Sequence, residues 1–169
     1  GQLENFDQFC QSLHRHEVPA SASRVSRLRW QSPEGWKLAP PRPMREVTFV
    51  AGPSAKSECY VSILSGSGGG VEANINRWRN QMGLAALTAA ELADLPTLDV
   101  LGQQALFIQI LGNYTGMAGP TMENYLMLGV VCPLEAEAVF IKMVGPAAEV
   151  EPETERFIGF CQSLELDSQ

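Results

Sequence analysis

Two apolar stretches late in the chain, YLMLGVVC (125–132) and AVFIKMV (138–144), decide the fold. They are separated by Pro133–Glu137, a connection short enough for a hairpin. The first stretch is apolar at both alternating sets of positions, so both of its faces need cover, which is typical of a strand in the middle of a sheet. The pair therefore predicts a central antiparallel hairpin.

Further strand patterns surround this hairpin in the sequence. Met44–Val50 and Glu58–Leu64 alternate between apolar and polar residues on either side of a Gly52-Pro53-Ser54 turn. Thr97–Leu101 and Gln104–Leu111 flank Gly102-Gln103, which favours a second tight hairpin. Consecutive hairpins predict an α+β fold: a mostly antiparallel sheet of about six or seven strands, flanked by helices in an α/β/α sandwich.

Helical periodicity occurs at three places between these strands and after them. Val71–Met82 carries one apolar stripe, and Gly83 follows it as a C′ cap. Thr88 and Glu91 have the spacing of a capping box for a short second helix. A final helix, beginning near Glu151, has a buried stripe formed by Phe157, Phe160, Cys161 and Leu164.

The chain is predicted to form one domain with an N-terminal extension. Residues 1–27 are expected to contain a helix over 3–14 and then a linker. Residues 28–169 are expected to form a single α+β domain that opens with a strand at Leu28–Gln31. The amphipathic pattern of residues 3–14 also offers a surface through which the chain would associate with itself.

The charge balance limits the classes of partner. The net charge is −7, and the lysines are restricted to Lys37, Lys56 and Lys142. Nucleic acids and anionic membrane surfaces attract proteins with a dense positive field, so neither is an expected partner. No apolar run approaches the roughly 18–20 residues of a membrane span.

The first residue bears on the expected location. The sequence begins with Gly1 instead of Met. Removal of a secretory signal would leave such a start, and so would removal of a tag. The expectation is an exported, periplasmic or envelope-associated protein, with a lipid anchor upstream of residue 1 as one form of attachment, and a cytoplasmic location is the alternative.

Four cysteines, at positions 10, 59, 132 and 161, leave two states open. Free buried thiols are the first interpretation, and a disulfide between Cys10 and Cys161 is the second. The sequence has no CxxC pair, and Cys10 is the one cysteine near the two histidines, His14 and His16, so the ligand spacing of an ordinary zinc site is absent. Neither a metal site nor a cofactor is predicted.

A glycine-rich connection over residues 65–71 joins a predicted strand to a predicted helix. It contains Gly68, Gly69 and Gly70, and this layout favours bound anions elsewhere because free N–H groups and the helix dipole point at the ligand. No Lys-Ser/Thr pair follows, and no parallel strand completes a dinucleotide-binding unit. A tight strand-to-helix connection is the preferred interpretation, and an anion-binding loop is the alternative.

Polar side chains on the next helix lie close to these glycines. Asn74 borders the apolar stripe, where it is expected to bind backbone groups in the core. Arg77 and Arg79 are expected to point to solvent. The alternative is that both arginines, together with the glycine N–H groups, receive an acidic ligand or partner.

Another candidate binding segment is a predicted loop over Gly112–Pro120. It contains Asn113, Tyr114, a methionine and three glycines. Long loops of this kind often carry binding residues, so Asn113 and Tyr114 are candidate contacts for a ligand or partner. A mobile hairpin tip is the preferred interpretation, and a binding loop is the alternative.

The inventory for catalysis is small. His14 and His16 are the histidines of the chain, and both precede the predicted domain, so a Ser/His or Cys/His mechanism finds no base there. The expected function is therefore a non-enzymatic accessory or binding domain for an unidentified protein or small ligand. The alternative is a phosphate- or nucleotide-binding enzyme that uses the loop over residues 65–71.

The order of elements resembles the PsbP-like fold family, which includes extrinsic photosystem proteins, Ran-binding Mog proteins and bacterial envelope lipoproteins. Three features carry the resemblance: the Ser32–Trp36 turn, the strand–glycine–helix step from Tyr60 to Trp78, and the late hairpins with a closing helix that ends in Phe160–Leu164. It covers residues 28–166. The family shares no catalytic residues, so the resemblance implies an accessory or binding domain, often exported, and assigns no site residue.

Overall fold

The computed structural model describes residues 27–167, and these form a seven-stranded antiparallel sheet, a two-stranded sheet and short helices. The predicted α+β class is confirmed. The strands are β1 Leu28–Arg29, β2 Lys37–Leu38, β3 Val47–Ala51, β4 Ser57–Ser65, β5 Thr97–Val100, β6 Gln103–Tyr114, β7 Met122–Pro133, β8 Glu137–Pro146 and β9 Glu165–Leu166. The helices are α1 Val71–Gln81, α2 Ala89–Ala93, α3 Ala147–Val150 and α4 Thr154–Gln162.

The predicted hairpin lies in the middle of the main sheet. The strand order is β2-β3-β4-β8-β7-β6-β5, and every neighbouring pair is antiparallel. Strand β7 is buried from Tyr125 to Cys132 and β8 from Ala138 to Gly145, as continuous apolar sequence requires. The sheet face on which a residue lies is then fixed by whether its position in the strand is odd or even.

Helices cover both faces of the sheet and create two apolar cores. On one face, Phe157 and Phe160 of α4 pack on residues such as Phe49 and Val61. On the other face, Ile75 and Trp78 of α1 and Leu92 of α2 pack on residues such as Ile110 and Met127. The α/β/α arrangement follows from these two clusters, and the candidate functional site lies on the second face.

The local signals for helix ends are confirmed. The Thr88 side chain accepts a hydrogen bond from the Glu91 N–H, and the Glu91 carboxylate accepts one from the Thr88 N–H. Gly83 has φ +73° directly after α1, and the Leu84 N–H donates to the Arg79 carbonyl at 2.9 Å. Both arrangements satisfy backbone groups that a helix end leaves without partners.

Three details of the sequence prediction were wrong. The strand at Leu28 lies outside the main sheet, because Leu28 pairs with Leu166 in the small β1–β9 sheet. The turn between β5 and β6 is Leu101-Gly102, one residue earlier than expected. Both residues adopt positive φ (54° and 74°), as this type of two-residue hairpin turn requires. The final helix is preceded by α3 and a 3₁₀ turn at Glu151–Glu153, where Pro152 follows the first residue.

The ends of the described chain meet. The Asp167 N–H donates to the Arg27 carbonyl at 2.7 Å, beside the two-residue pairing of β1 with β9. An ion pair of 2.6 Å joins Arg29 to Asp167. These contacts bring the first and last described residues to the same edge of the domain.

Several predictions concern residues outside the described range of 27–167. They are the helix over 3–14 and its self-association, the linker that follows it, His14, His16 and the pairing of Cys10. Within the described range, Cys59, Cys132 and Cys161 are buried free thiols, and Cys59 points inward as its alternation predicts. None of the helices in that range is both long enough and apolar enough to cross a bilayer.

Candidate functional site

The glycine-rich connection forms a tight turn against the sheet. Gly68, Gly69 and Gly70 all adopt positive φ, between 59° and 94°. A Cβ at Gly68 would lie 2.9 Å from the Phe140 ring, so this glycine is required for the loop to reach the sheet surface. The loop is therefore built for close packing.

The buried Asn74 closes this turn from the first helical turns of α1. Its Nδ2 group donates to the carbonyls of Gly68 at 2.8 Å and Gly70 at 2.7 Å, which confirms the predicted core hydrogen bonding. The Arg77 guanidinium donates to Asn74 Oδ1. Glu72 adds a carboxylate to the first turn of α1, where a bound anion would have to lie. These contacts favour the tight connection over the anion-binding loop.

Arg79 lies apart from the glycine loop. Its Nε donates to the Ala85 carbonyl at 2.6 Å, so the guanidinium spans the connection between α1 and α2. Arg77, two residues earlier, lies on another side of the helix, since successive helical residues are turned by about 100°. The structure thus separates the two arginines.

The candidates Asn113 and Tyr114 belong to strand β6, which corrects the predicted loop over Gly112–Pro120. A β-bulge between Gly112 and Tyr114 shifts the register of β6 against β7, and the pairing continues to Tyr114. The Asn113 N–H donates to the Met82 carbonyl at 3.1 Å, and the missing side chain of Gly112 allows this approach, because a Cβ there would be 2.3 Å from the same oxygen. Tyr114 is turned inward, where its ring stacks on Tyr125 at 6.0 Å.

A buried lysine lies beside Tyr114 on the face of the sheet that α1 covers. Lys142, in β8, is 3% exposed, and its Nζ donates to Gln81 Oε1 at 2.9 Å. A lysine is rarely buried without a specific partner, because an unpaired ammonium group is costly to remove from water. An ammonium group carries three hydrogen-bond donors. Among residues 27–167, Gln81 accepts the one hydrogen bond that Lys142 Nζ makes.

Three aromatic rings surround this ammonium group at almost equal distances. Nζ lies 5.8 Å from the Tyr60 ring centroid, 5.8 Å from that of Tyr114 and 5.9 Å from that of Trp78. These distances are within the range of cation–π attraction. The rings come from β4, β6 and α1, so the arrangement is a product of the tertiary fold.

The Trp78 ring reaches the lysine because its neighbour in the sheet has no side chain. Gly129 of β7 is the cross-strand partner of Lys142. A Cβ at Gly129 would lie 2.4 Å from Cζ3 of Trp78. The glycine therefore leaves the space in which the indole packs against the sheet beside Nζ.

Arginines and one carboxylate complete the surroundings. The Arg45 guanidinium lies 3.8 Å from the Tyr60 ring centroid, so this ring is close to two cations, Arg45 and Lys142. Glu58 binds both Arg45 and Arg42, the latter at 3.1 Å. The set that we name the Lys142 cluster comprises Arg45, Glu58, Tyr60, Arg77, Trp78, Gln81, Tyr114 and Lys142.

The pKa values in the cluster follow from burial and from excess positive charge. Burial lowers the pKa of Lys142 to about 8, and the charges of Arg77 and Arg45 act in the same direction. Burial also raises the pKa of Tyr60 and of Tyr114, so both phenols stay neutral donors at physiological pH. Near neutral pH the cluster thus presents an ammonium group, guanidinium groups and phenolic hydroxyls.

A buried hydroxyl without a partner lies in the same row of the sheet. Thr48 is the cross-strand partner of Tyr60, which in turn is the partner of Lys142. Thr48 is 3% exposed, and its Oγ1 has no hydrogen-bond partner among the described residues. A buried polar atom in this state is unusual in a folded protein, and it points to an interaction that the free chain leaves unmade.

The structure thus brings two of the predicted site residues, Arg77 and Tyr114, to the Lys142 cluster. Arg79 and Asn113 lie outside the cluster, and the glycine turn is joined to it through Asn74, which accepts from Arg77. Sequence reasoning missed the rest of the cluster. One signal was present: Lys142 is a single charge within an apolar stretch that was predicted to be a buried strand. The signal for Arg45 and Glu58 was absent, because their proximity depends on the pairing of β3 with β4.

Surface depressions elsewhere on the described chain have simpler linings. One of about 580 Å³ is bordered by the exposed carboxylates of Asp99 and Glu165. Another of about 330 Å³ is bordered by Arg79, Glu91 and apolar side chains. Neither lining includes a buried ionisable group, so the Lys142 cluster is the stronger candidate.

Comparison with known proteins identifies no family. No protein-family profile matches the chain, and no curated protein does. A crystal structure from Bacteroides thetaiotaomicron VPI-5482 is 12% identical with a TM-score of 0.49, and the match covers 84% of this chain and 46% of that one. LpqN, described as involved in cell envelope biogenesis of Mycobacterium tuberculosis, is 16% identical with a TM-score of 0.44 and 83% coverage of both chains.

The chain spans a little under half the length of the Bacteroides structure. At these identities and TM-scores, neither likeness bears on what the present chain binds. The resemblance to the PsbP-like fold family stays a prediction.

Proposed function

We propose that this chain is a non-enzymatic accessory domain that binds a ligand or partner at the Lys142 cluster. One observation carries the proposal: a buried ammonium group that uses one of its three donors within the described chain and is ringed by aromatic side chains. A fold that needed only a stable core would place an apolar residue at this position, because burying the charge is costly. Functional sites commonly keep residues that lower the stability of the fold in this way.

The composition of the cluster supports binding without turnover. Its one carboxylate, Glu58, is bound by two arginines, so each of its oxygens already faces a guanidinium group. Tyr60 and Tyr114 have pKa values raised by burial, which makes them hydrogen-bond donors instead of bases. The groups are suited to holding an electron-rich ligand.

The alternative function, a nucleotide-using enzyme at residues 65–71, has less support. Each adjacent strand pair of the main sheet is antiparallel, whereas the dinucleotide-binding unit needs parallel strands around its crossover helix. Asn74 binds two carbonyls of the glycine turn and holds it closed. We therefore place the binding function on the sheet face next to α1.

The proposal includes an exported or envelope-associated location. Its support is the PsbP-like pattern of residues 28–166. Fractionation of cells that produce the protein from its natural gene is the test. Recovery with the envelope or in the exported fraction would agree with the proposal, and recovery with cytoplasmic markers would contradict this part of it.

The binding function is tested with the 169-residue chain and a library of small anions, cations and neutral compounds. Amide chemical shifts would be recorded during titration, and each hit would be assayed for chemical change. We expect shifts centred on Tyr60, Tyr114 and Lys142, with the compounds recovered intact. Shifts centred on Gly68–Gly70, or conversion of a bound compound, would favour the nucleotide-using enzyme.

A further inference from the structure

We propose that the Lys142 cluster takes an organic anion, with a carboxylate or phosphate group against Lys142 and an apolar or aromatic body against the rings of Tyr60 and Tyr114. The inference rests on the proposed function, because it assigns a ligand class to the same site. Three observations support it: the local charge is positive, donors in the cluster lack partners, and aromatic rings surround Lys142 Nζ.

The charge of the cluster is opposite to that of the chain. The whole chain has a net charge of −7. In contrast, Arg45, Arg77 and Lys142 lie together near one carboxylate, Glu58, and each of the two arginines is close enough to lower the pKa of Lys142. An anion would relieve this repulsion, whereas a cation would add to it.

The polar atoms that lack partners are suited to an acceptor ligand. Lys142 Nζ has donors beyond the one that Gln81 accepts, and the Thr48 hydroxyl has no partner among residues 27–167. Thr48, Tyr60 and Lys142 are successive cross-strand partners, so their side chains follow one row across β3, β4 and β8. Carboxylate and phosphate oxygens accept several hydrogen bonds from such a row.

The rings exclude two other ligand classes. Three aromatic faces around a point form a receptor for an organic cation, but here the chain's own ammonium group occupies that point. A bare inorganic anion would use the charge and leave the ring faces of Tyr60 and Tyr114 without a contact. An anionic group on an apolar body uses both.

The route to the ammonium group follows from burial. Trp78 is 4% exposed and is fixed against Gly129. Tyr60 and Tyr114 are partly exposed, so the ligand reaches Nζ by passing between these two rings. Their movement apart is a measurable consequence, since the Tyr114 ring would change its stacking on Tyr125.

Binding depends on the charged form of Lys142, so affinity falls as the pH rises above about 8. The ionisable groups that face Nζ are Arg77 on α1, Arg45 before β3, Glu58 and Tyr60 on β4, and Tyr114 on β6, whose ring is stacked on Tyr125 of β7. The arginines keep their charge throughout this range, and burial keeps the phenols of Tyr60 and Tyr114 neutral.

Calorimetric titration of the 169-residue chain tests the ligand class with four probes. Phenyl phosphate and benzoate combine an anion with a ring, benzamide is the neutral counterpart of benzoate, and inorganic phosphate has no ring. We expect phenyl phosphate or benzoate to bind about tenfold or more tightly than both benzamide and inorganic phosphate, which is the discrimination one charge-assisted contact supplies. Affinities for both phenyl phosphate and benzoate that are no higher than those for benzamide and inorganic phosphate would overturn the proposal.

Variants locate the binding. Lys142→Met keeps the length of the side chain and removes the charge, and we expect it to weaken phenyl phosphate binding about tenfold or more. Thr48→Val removes the hydroxyl without changing the shape and is expected to weaken binding by a smaller factor. Lys56→Met, at an exposed turn lysine, is the matched control and is expected to bind as the natural chain does. Unchanged affinity in Lys142→Met would contradict the proposal. If that variant fails to fold, Tyr60→Leu supplies a second test, because it removes one of the two rings, and unchanged phenyl phosphate affinity there would also contradict the proposal.

The two levels of the proposal fail in different ways. Amide shifts at Tyr60 and Tyr114 caused by a neutral or cationic compound, without any caused by phenyl phosphate or benzoate, would retain the site and reject the ligand class. The absence of shifts at the cluster with every compound would reject the proposed function itself.

Discussion

Trp78 packs directly on Gly129: the indole occupies the space that a side chain on Gly129 would take, and a Cβ there would be 2.4 Å from Cζ3 of the tryptophan. The contact joins the centre of β7 to α1. It also holds the indole 5.9 Å from the Lys142 ammonium group. One missing side chain thus determines both how the helix packs and how the lysine is surrounded.

The first prediction concerns this contact. Gly129→Ala forces the Trp78 ring away from the sheet, and a close-packed core resists such a shift. We expect the free energy of unfolding to fall by about 1–3 kcal/mol, as overpacking typically costs. Denaturant unfolding followed by tryptophan fluorescence would measure it.

Gly159→Ala is the control for that substitution. Gly159 is an exposed glycine of α4, and a Cβ added to it would have no neighbouring atom within 4 Å. Alanine there should stabilise the chain by about 0.5–1 kcal/mol, because glycine is a weak helix former. Equal effects at positions 129 and 159 would show that the indole does not require the space at Gly129.

The second prediction concerns the glycine turn. Asn74→Ala removes the donor shared by the Gly68 and Gly70 carbonyls. We expect a loss of about 1–3 kcal/mol in the free energy of unfolding, because Asn74 is buried and its partners would lose their hydrogen bonds. Amide hydrogen exchange in residues 65–71 should accelerate. Asn80→Ala, at an exposed position of the same helix, is the control, and an equal loss there would contradict the assignment.

The third prediction concerns the pH dependence of stability. The pKa of Lys142 is about 8 in the folded chain, against an ordinary value of 10.5. Between these pH values the folded state binds fewer protons than the unfolded state, so stability rises with pH. The cost of the buried charge is fully present below about pH 8 and is relieved towards pH 10.5.

Lys142→Met isolates this effect, since the other titrating groups are common to both proteins. We expect the variant's stability relative to the natural chain to be highest near pH 7 and to decline by up to about 3 kcal/mol as the pH approaches 10.5. Chemical unfolding at several pH values would measure the difference. A difference that stays constant across this range would show that Lys142 keeps an ordinary pKa in the folded chain.

The fourth prediction concerns the buried thiols. Burial raises the pKa of Cys59 and of Cys161 well above the ordinary value, and that of Cys132 to about 11. Because the thiolate is the reactive form, we expect iodoacetamide at pH 8 to leave all three unmodified in the folded Cys10→Ser chain. Mass spectrometry with and without guanidinium would count the modified thiols. Rapid modification of any of the three in the folded chain would contradict their burial.

The fold was accessible from the sequence because its strongest signals are local. The apolar stretch at 125–132, with both faces needing cover, correctly indicated a central strand. The capping pair Thr88 and Glu91 and the cap at Gly83 depend on residues a few positions apart, and both were confirmed. The pairing of Leu28 with Leu166 was missed, since no local pattern specifies a partner so far along the chain.

The candidate site was accessible in part. Tyr114 and Arg77 were singled out for their residue types, but their proximity depends on how four strands and a helix pack together. The extension of β6 through Tyr114 was missed because it requires Gly112 to approach the Met82 carbonyl, a contact that no turn signal reports. Thr48 gave no signal, since an unpaired hydroxyl is a property of packing.

The meeting of Arg27 with Asp167 has a consequence for how this domain could be used in larger proteins. Because Arg27 and Asp167 are joined by one 2.7 Å hydrogen bond, residues 27–167 can be spliced into a surface loop of a host protein without spreading that loop. The same proximity permits circular permutation of residues 27–167, with a short linker between Asp167 and Arg27 and new ends opened at an exposed turn such as Pro53-Ser54.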